Sequence, residues 1–147
     1  MGLEKSNKSL KPLKTLVKLN KNKMDTLLKE IKYRDSEKDR LEKKKQQIED
    51  ESQAEIARYS GTKYAYMLDN YMQNARKSIK IVDAHIEQVV QILEKLREVL
   101  ETQYSELKKF EIILEMKIKQ QQEQEKIAET KAMDEFNSNK FIYEKEG

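Results

Sequence analysis

The chain has 147 residues, of which 39% are charged and 7% aromatic, with three glycines, one proline, no cysteine and a formal net charge of +3. This composition is typical of long helices and is poor for a compact globular core. The lack of cysteine excludes a disulfide framework and a thiolate metal site in this sequence. No apolar run approaches the roughly 18 residues that a membrane span needs. We therefore expect a water-exposed, helical protein.

A first helix is predicted from about residue 10 to residue 58. Proline is tolerated in the first turn of a helix, so Pro12 predicts a helix start near residue 10 and a flexible N-terminus over residues 1–9. Charged side chains between Arg34 and Lys45 can lie along the edge of a seam, which predicts a looser middle section. The predicted seam alternates by three and four residues, with eight of twelve positions apolar: Leu10, Leu13, Val17, Asn20, Met24, Leu27, Ile31, Arg34, Lys38, Leu41, Lys45 and Ile48.

A turn is predicted at about residues 59–63, around the only interior glycine, Gly61. Glycine just past a helix end commonly takes the left-handed conformation that closes a helix. Thr62 is a suitable residue to cap the helix that follows. Two helical patterns joined by a short turn indicate an antiparallel hairpin.

The second helix, predicted over about residues 64–137, carries the strongest pattern in the chain. A seven-residue apolar repeat keeps one seam toward a partner helix and predicts a left-handed coiled coil. Past Leu114 the seam positions would be Lys117, Gln121 and Gln124, so we expect the end of this helix to overhang, with residues 138–147 flexible. Fourteen of fifteen seam positions are apolar: Ala65, Leu68, Met72, Ala75, Ile79, Val82, Ile86, Val89, Leu93, Leu96, Leu100, Gln103, Leu107, Phe110 and Leu114.

The sequence therefore predicts an all-α fold, a long antiparallel two-helix coiled-coil hairpin whose second helix overhangs the first. Residues 1–45 carry a net charge of +8 and the remainder −5, and arms of opposite sign favour a monomeric hairpin over a parallel dimer. A nucleic-acid-binding arm is the alternative interpretation of the basic end. No arginine or aromatic cluster accompanies its lysines, so we expect no nucleic-acid partner.

Residue patterns for chemistry are absent from the sequence. The single histidine, His85, flanks the seam, and acidic neighbours such as Glu49, Asp50 and Glu51 lie on a helix without a cleft that would perturb their pKa values. We expect no catalytic, cofactor-binding or metal-binding residues, no cofactor and no enzymatic activity.

Two regions contain more apolar and aromatic residues than a two-helix seam can cover. Near the turn, tyrosines crowd together with Met67, and the predicted partner-binding residues there are Tyr64, Leu68, Tyr71 and Ala75. Tyrosines are favoured at interfaces, although a small local core is the alternative. From Val89 onward the stripe widens, which predicts either a docked third element or a broader two-helix contact. The predicted partner-binding residues of this widened stripe are Ile92, Val99, Tyr104, Phe110 and Ile113.

Several short motifs in this order resemble the FliJ family, the hairpin proteins of the flagellar export apparatus. Injectisome stalk proteins look similar at this level. The likeness covers nearly the whole chain. It is carried by Leu13, Leu16-Val17-Lys18-Leu19, Met24-Asp25, Tyr64-Ala65-Tyr66, Glu106-Leu107-Lys108-Lys109-Phe110-Glu111 and Met133-Asp134-Glu135-Phe136.

The resemblance implies a non-enzymatic stalk that binds the hexameric export ATPase, the export gate membrane protein and export chaperones, without inserting into the membrane. It implies a cytoplasmic protein associated peripherally with the inner-membrane export apparatus. The paired ends, residues 10–28 and 107–136, would enter the ATPase, while the helix around Leu68, Tyr71 and Ala75 would face the gate. The facing part of helix one is acidic here, which departs from the family pattern. A generic coiled-coil scaffold or chaperone-like adaptor is the alternative function.

Overall fold

A computed structural model describes the backbone of residues 2–146 and the side chains of residues 10–145. Two long helices, α1 (Gly2–Tyr59) and α2 (Leu68–Glu146), are separated by a single 3-10 turn at Ala65–Met67. The helices pack against each other, and the described backbone contains no strand. The predicted all-α helical hairpin is confirmed.

Both helices are longer than the sequence pattern predicts. Helix α1 begins at Gly2 and includes Pro12, although a proline inside a helix removes one N–H donor and crowds the carbonyl four residues before it. Helix α2 continues to Glu146, since neither glycine nor proline interrupts the sequence after Gly61 until the final residue. The two ends predicted to be flexible are therefore helical wherever their backbone is described. Met1 and Gly147 lie outside the described residues, and the flexibility of the ends stays a prediction.

The turn is built around Gly61, whose φ of 77° is left-handed. The Ser60 N–H still donates to the Ile56 carbonyl at 2.9 Å, which completes the last turn of α1. The Thr62 hydroxyl donates to the Tyr59 carbonyl at 2.7 Å and accepts the Tyr64 N–H at 3.2 Å. Thr62 thus ties the turn together and does not cap α2. This is why α2 begins at Leu68, after the 3-10 turn, and not near residue 64.

The chain divides into two compact units where the sequence predicts one domain over residues 10–137. Unit 1 combines Met1–Asn22 with Gln103–Gly147, and unit 2 is Lys23–Thr102. Each unit contains a stretch of both helices, so each has a seam of its own.

The core of unit 1 is a short apolar seam with one polar layer. Leu10, Val17 and Leu107 are buried, and Asn20, only 5% exposed, lies among the same seam positions. The Gln103 amide donates to the Asn20 Oδ1, and the Asn20 amide donates to the Leu16 carbonyl at 2.9 Å. The one polar residue in the α2 repeat is therefore matched by a polar residue on α1.

The seam of unit 1 does not stop at Leu114. Ile118, Gln121 and Glu125 are half-buried, whereas the predicted positions Lys117 and Gln124 are exposed. From Phe110 the buried positions step by four, four, three and four residues, so the strict heptad gives way to the eleven-residue spacing that a straighter helix follows. This shift places the apolar Ile118 on the seam face instead of a lysine.

The seam of unit 2 is apolar on one side and mixed on the other. Helix α2 contributes the buried side chains Val82, Val89 and Leu93. Helix α1 contributes half-buried charged residues such as Arg34 and Lys45. The seam of α1 also extends beyond Ile48 to the buried Ser52 and the half-buried Glu55 and Tyr59.

Two ion pairs join the helices of unit 2. The Lys45 Nζ lies 2.9 Å from the Asp83 carboxylate, and the Arg97 guanidinium lies 3.6 Å from Asp35. Asp83 raises the pKa of Lys45, first through this hydrogen bond and then through its charge. The acidic partners on both helices thus hold the long basic side chains beside the seam.

Candidate partner-binding surfaces

The turn end of unit 2 carries a surface that we call the tip surface. The ring of Tyr59 at the end of α1 meets the ring of Tyr64 edge to face, with centroids 6.1 Å apart. Arg58 lies over the Tyr59 ring at 6.0 Å and Lys63 over the Tyr64 ring at 5.1 Å. These contacts fix two aromatic rings beside an open groove of about 860 Å³, lined by Glu55, Tyr59, Tyr64, Tyr66, Met67, Leu68, Asn70, Tyr71 and Asn74.

The predicted tip residues have two different environments. Tyr64 and Tyr71 are exposed and line the groove. Leu68 lines the groove but is half-buried at a seam position, and Ala75 is half-buried at a seam position outside the groove. The first two residues are therefore available to a partner, whereas much of the side chain of the other two is covered within the hairpin.

Two residues missing from the predicted tip set are the most exposed of the large apolar side chains there. Tyr66 is 76% exposed, and Met67 is also exposed. Both belong to the 3-10 turn Ala65–Met67. An uninterrupted α-helix from residue 64 would give these side chains other directions. The sequence feature that could have predicted their exposure is Thr62. Its hydroxyl can bind backbone N–H groups of the turn and so delay the start of the helix.

The α1 side of the groove is acidic. Glu55 lines the groove, and its carboxylate lies 3.7 Å from the guanidinium of Arg58. Farther along α1, Gln47 donates to Glu51 at 3.1 Å, which leaves that carboxylate on the exposed face of the helix. Any partner that reaches α1 at this end meets carboxylates, while α2 and the turn offer aromatic and apolar side chains.

The predicted widened stripe is divided between the two units. In unit 2, Ile92 is half-buried and Val99 is 50% exposed. In unit 1, Tyr104 and Ile113 are exposed, whereas Phe110 is a half-buried seam residue. Each unit thus has its own exposed apolar side chains beside its seam, and no side chain of the described residues covers them fully.

A larger exposed apolar surface lies at the end of α2, in unit 1, and the site prediction omitted it. Every residue from 126 to 145 is exposed. We call this segment the tail. The individual partner-binding residues predicted from the sequence stop at Ile113, although the resemblance carries residues 107–136 to the ATPase and so covers part of this segment. The large apolar side chains of the tail are Ile127, Met133, Phe136, Phe141, Ile142 and Tyr143.

Part of the tail continues the seam face. Helical spacing places Ala128, Ala132, Phe136 and Tyr143 on the side of α2 that carries Gln121 and Glu125 farther back. Phe136 is 64% exposed and Tyr143 81% exposed. The seam face of α2, which α1 covers elsewhere in unit 1, therefore continues into the tail. Among the described residues, no helix covers it there.

Within the described part of the chain, histidine and acidic residues form no group of three or more that could hold a metal ion. Over residues 2–146, neither helix has a stretch apolar enough and sufficiently free of charge to cross a membrane. The features that stand out are thus the tip surface, the exposed residues beside each seam, and the tail.

Comparison with known proteins gives one positive result. The family model described as flagellar FliJ protein matches residues 9–146, which is nearly the whole chain. Neither the curated proteins nor the solved structures contain a match. The matched region includes the tip surface and all of the tail as described. The chain therefore belongs to the flagellar FliJ family, which makes it a protein of flagellar export.

Proposed function

We propose that this protein is a non-enzymatic stalk and adaptor of the flagellar export apparatus. In this proposal the tail binds the hexameric export ATPase and promotes its assembly, and the tip surface binds the export gate membrane protein. The protein is a monomer on its own, works in the cytoplasm at the inner-membrane apparatus, and helps to deliver chaperones with their substrates. The family supports the link to export, and the two surfaces support the division of labour.

The observation that carries the proposal is the exposed tail. A solvated helical segment gains little stability by itself, and monomeric proteins rarely leave large apolar side chains exposed together. The tail has six such side chains and no covering helix among the described residues. A partner that encloses a helix on several sides, as the pore of a hexameric ring does, would bury side chains such as Ile127 and Phe136, which point to different sides.

The tip surface supports a second, separate partner. Its groove is lined by four tyrosines, and tyrosine combines a large apolar ring with a hydroxyl that can remain hydrated or bind a partner. The left-handed Gly61 and the Thr62 hydrogen bonds hold the turn in one conformation. A pre-organised aromatic surface loses little conformational freedom on binding, which suits docking to the gate.

The proposal is tested by mixing the purified chain with a hexameric export ATPase. We expect the full chain to co-elute with the hexamer and to raise its rate of ATP hydrolysis. A variant ending at Glu125 lacks the tail but keeps the half-buried seam positions, so it should remain folded and lose both effects. I127S/M133S/F136S should do the same without changing the chain length.

The matched control replaces exposed apolar residues of unit 1 outside the tail. Ile112 and Met116 are also exposed on α2, and I112S/M116S should keep both co-elution and stimulation. If the full chain neither co-elutes with the ATPase nor changes its turnover, the stalk function is wrong. The generic coiled-coil scaffold then becomes the better account, with the tail as a client-binding arm.

A further inference from the structure

The beginning of α1 has an unusual balance of charge. Between Lys5 and Met24 the sequence contains seven lysines and no acidic residue. The rest of the chain mixes both signs, so that the whole molecule has a net charge of only +3. The basic stretch lies in unit 1 apart from its last two residues.

Four of these lysines form a straight row. Lys11, Lys14, Lys18 and Lys21 are spaced by three, four and three residues, and all four are exposed. On an α-helix this spacing places side chains along one side, over a length of about 15 Å. We call these four residues the lysine row. Its ammonium groups can therefore meet a single extended surface at the same time.

The lysine row has no counter-charge within the described residues. Among the described side chains of unit 1, the ion pairs are Lys108 with Glu111 at 3.5 Å and Lys119 with Glu115 at 3.8 Å. Both pairs lie within α2. In unit 2, by contrast, Lys45 lies 2.9 Å from Asp83 on the opposite helix. The hairpin thus neutralises a seam lysine in unit 2 but leaves the lysine row of unit 1 available to an external anion.

We propose that the lysine row binds the surface of a membrane that contains acidic phospholipids. Clusters of four to eight basic residues on a helix are a recognised feature of proteins attracted to anionic headgroups. Leu16 and Leu19 in the same stretch are also exposed, but helical spacing places them on other sides of α1, so the lysines alone make this contact. The lysines remain in the headgroup layer, so this is contact with the surface and not insertion.

Other polyanions fit the same stretch less well. Nucleic-acid surfaces usually add arginine and stacking aromatics to lysine, but the first aromatic residue of the chain is Tyr33 and the first arginine is Arg34. An acidic protein would have to follow or enclose the row, as a ring pore could, and the test includes binding to the export ATPase to distinguish this case. A fluid layer of headgroups adapts to the row without a matching shape, so the lipid surface is the partner that the residues favour.

The test measures co-sedimentation of the full chain with vesicles. We expect binding to vesicles of phosphatidylglycerol mixed with phosphatidylcholine, little binding to phosphatidylcholine alone, and loss of binding at high salt. Replacing the row in K11Q/K14Q/K18Q/K21Q should lower the partition coefficient at least about tenfold. The matched control, K29Q/K32Q/K43Q/K44Q, removes four exposed lysines from the same helix and should stay within about twofold of the original chain.

Each outcome decides the proposal. Equal binding to both vesicle types, or equal loss in the two variants, would overturn it. If the row variant binds vesicles normally but no longer binds the export ATPase, the row recognises an acidic protein and the lipid proposal is wrong. Circular dichroism checks that both variants keep their helices. Because the vesicle assay contains no ATPase, its result is independent of the proposed stalk function.

Discussion

The two units differ in the residues that α1 contributes to the seam. In unit 1, α1 offers Leu10 and Val17 to the seam, and its one buried amide, Asn20, pairs with Gln103. In unit 2, α1 offers half-buried charged residues such as Arg34 and Lys45, while α2 supplies the buried apolar side chains. One seam is apolar with a paired polar layer, and the other is apolar on α2 but mixes apolar and charged residues on α1.

This difference shows that a seam needs covering side chains more than it needs apolar ones. The long stems of Arg34 and Lys45 can pack over α2 while their charged ends reach acids at the edge. Lys45 finds Asp83 across the seam, and Arg34 pairs with Glu37 on its own helix at 2.9 Å. Even so, the Nε of Arg34 is buried without a hydrogen-bond partner. We therefore expect unit 2 to depend strongly on a few residues of α2.

The largest effect is expected at Leu93, which is only 2% exposed. Leu93→Ala should lower the free energy of unfolding by about 2–5 kcal/mol, because it removes buried apolar atoms and leaves a cavity in the seam. Urea denaturation followed by circular dichroism measures the loss. Val99, on the same helix and half-exposed, is the control, and Val99→Ala should cost under about 1 kcal/mol. Equal losses at both positions would mean that the seam is not the core of unit 2.

The polar layer of unit 1 should show an intermediate effect. Asn20→Ala leaves the Gln103 amide half-buried without its partner, at a cost of about 1–3 kcal/mol. The double variant N20L/Q103L removes both amides and should be at least as stable as the original chain. A double-mutant cycle of the single variants N20L and Q103L and the double variant measures the coupling. A double variant as unstable as the sum of the two single changes would show that the pair does not act as a unit.

In unit 2 we expect a polar-to-apolar change in the seam to raise the free energy of unfolding. Arg34→Leu replaces a guanidinium whose Nε lacks a partner with a side chain suited to the seam, and should raise the free energy of unfolding by about 1 kcal/mol. Thermal unfolding measures the change. Arg40, exposed on the same helix, is the control, and Arg40→Leu should stay within about 0.5 kcal/mol. Destabilisation by Arg34→Leu would show that the guanidinium is favourable where it lies.

The smallest effect concerns pH. Because Asp83 raises the pKa of Lys45 above its ordinary value of 10.5, the folded state favours the charged lysine. Its contribution to stability is complete below pH 10.5 and is lost as the pH rises through the raised pKa. Unfolding curves measured below pH 10.5 and above the raised pKa of Lys45 should show a small loss of stability in the original chain. The loss should be reduced in both K45Q and D83N, and an unchanged loss would assign it to other groups.

The periodicity of the sequence predicted the hairpin well because seam positions depend on local spacing. Every predicted seam position of α1 from Leu10 to Ile48, and of α2 from Ala65 to Leu114, is buried or half-buried. The spacing could not predict the shift to Ile118. A strict heptad assumes a constant register, whereas a helix can change register wherever a better apolar residue lies one position away.

The candidate surfaces were only partly predictable. Tyr64 and Tyr71 are exposed, as a partner surface requires, but Leu68, Ala75 and Phe110 are half-buried seam residues. These three residues were also predicted seam positions, and a side chain that packs in the seam offers little surface to a partner. The contacts of Thr62 delay α2 to Leu68. The resemblance carried residues 107–136 to the ATPase contact, but it named no individual residue of the tail, because the apolar residues there do not follow the heptad.

The central claim is that the tail and the tip surface have separate partners, and one paired measurement tests it directly. ATP turnover by the export ATPase and secretion of flagellar substrates are measured for a chain ending at Glu125 and for Y66S/Y71S, which changes exposed tip residues. We predict that the shortened chain loses ATPase stimulation, while the tip variant keeps full stimulation but secretes poorly. Loss of stimulation by the tip variant, with normal stimulation by the shortened chain, would contradict the account.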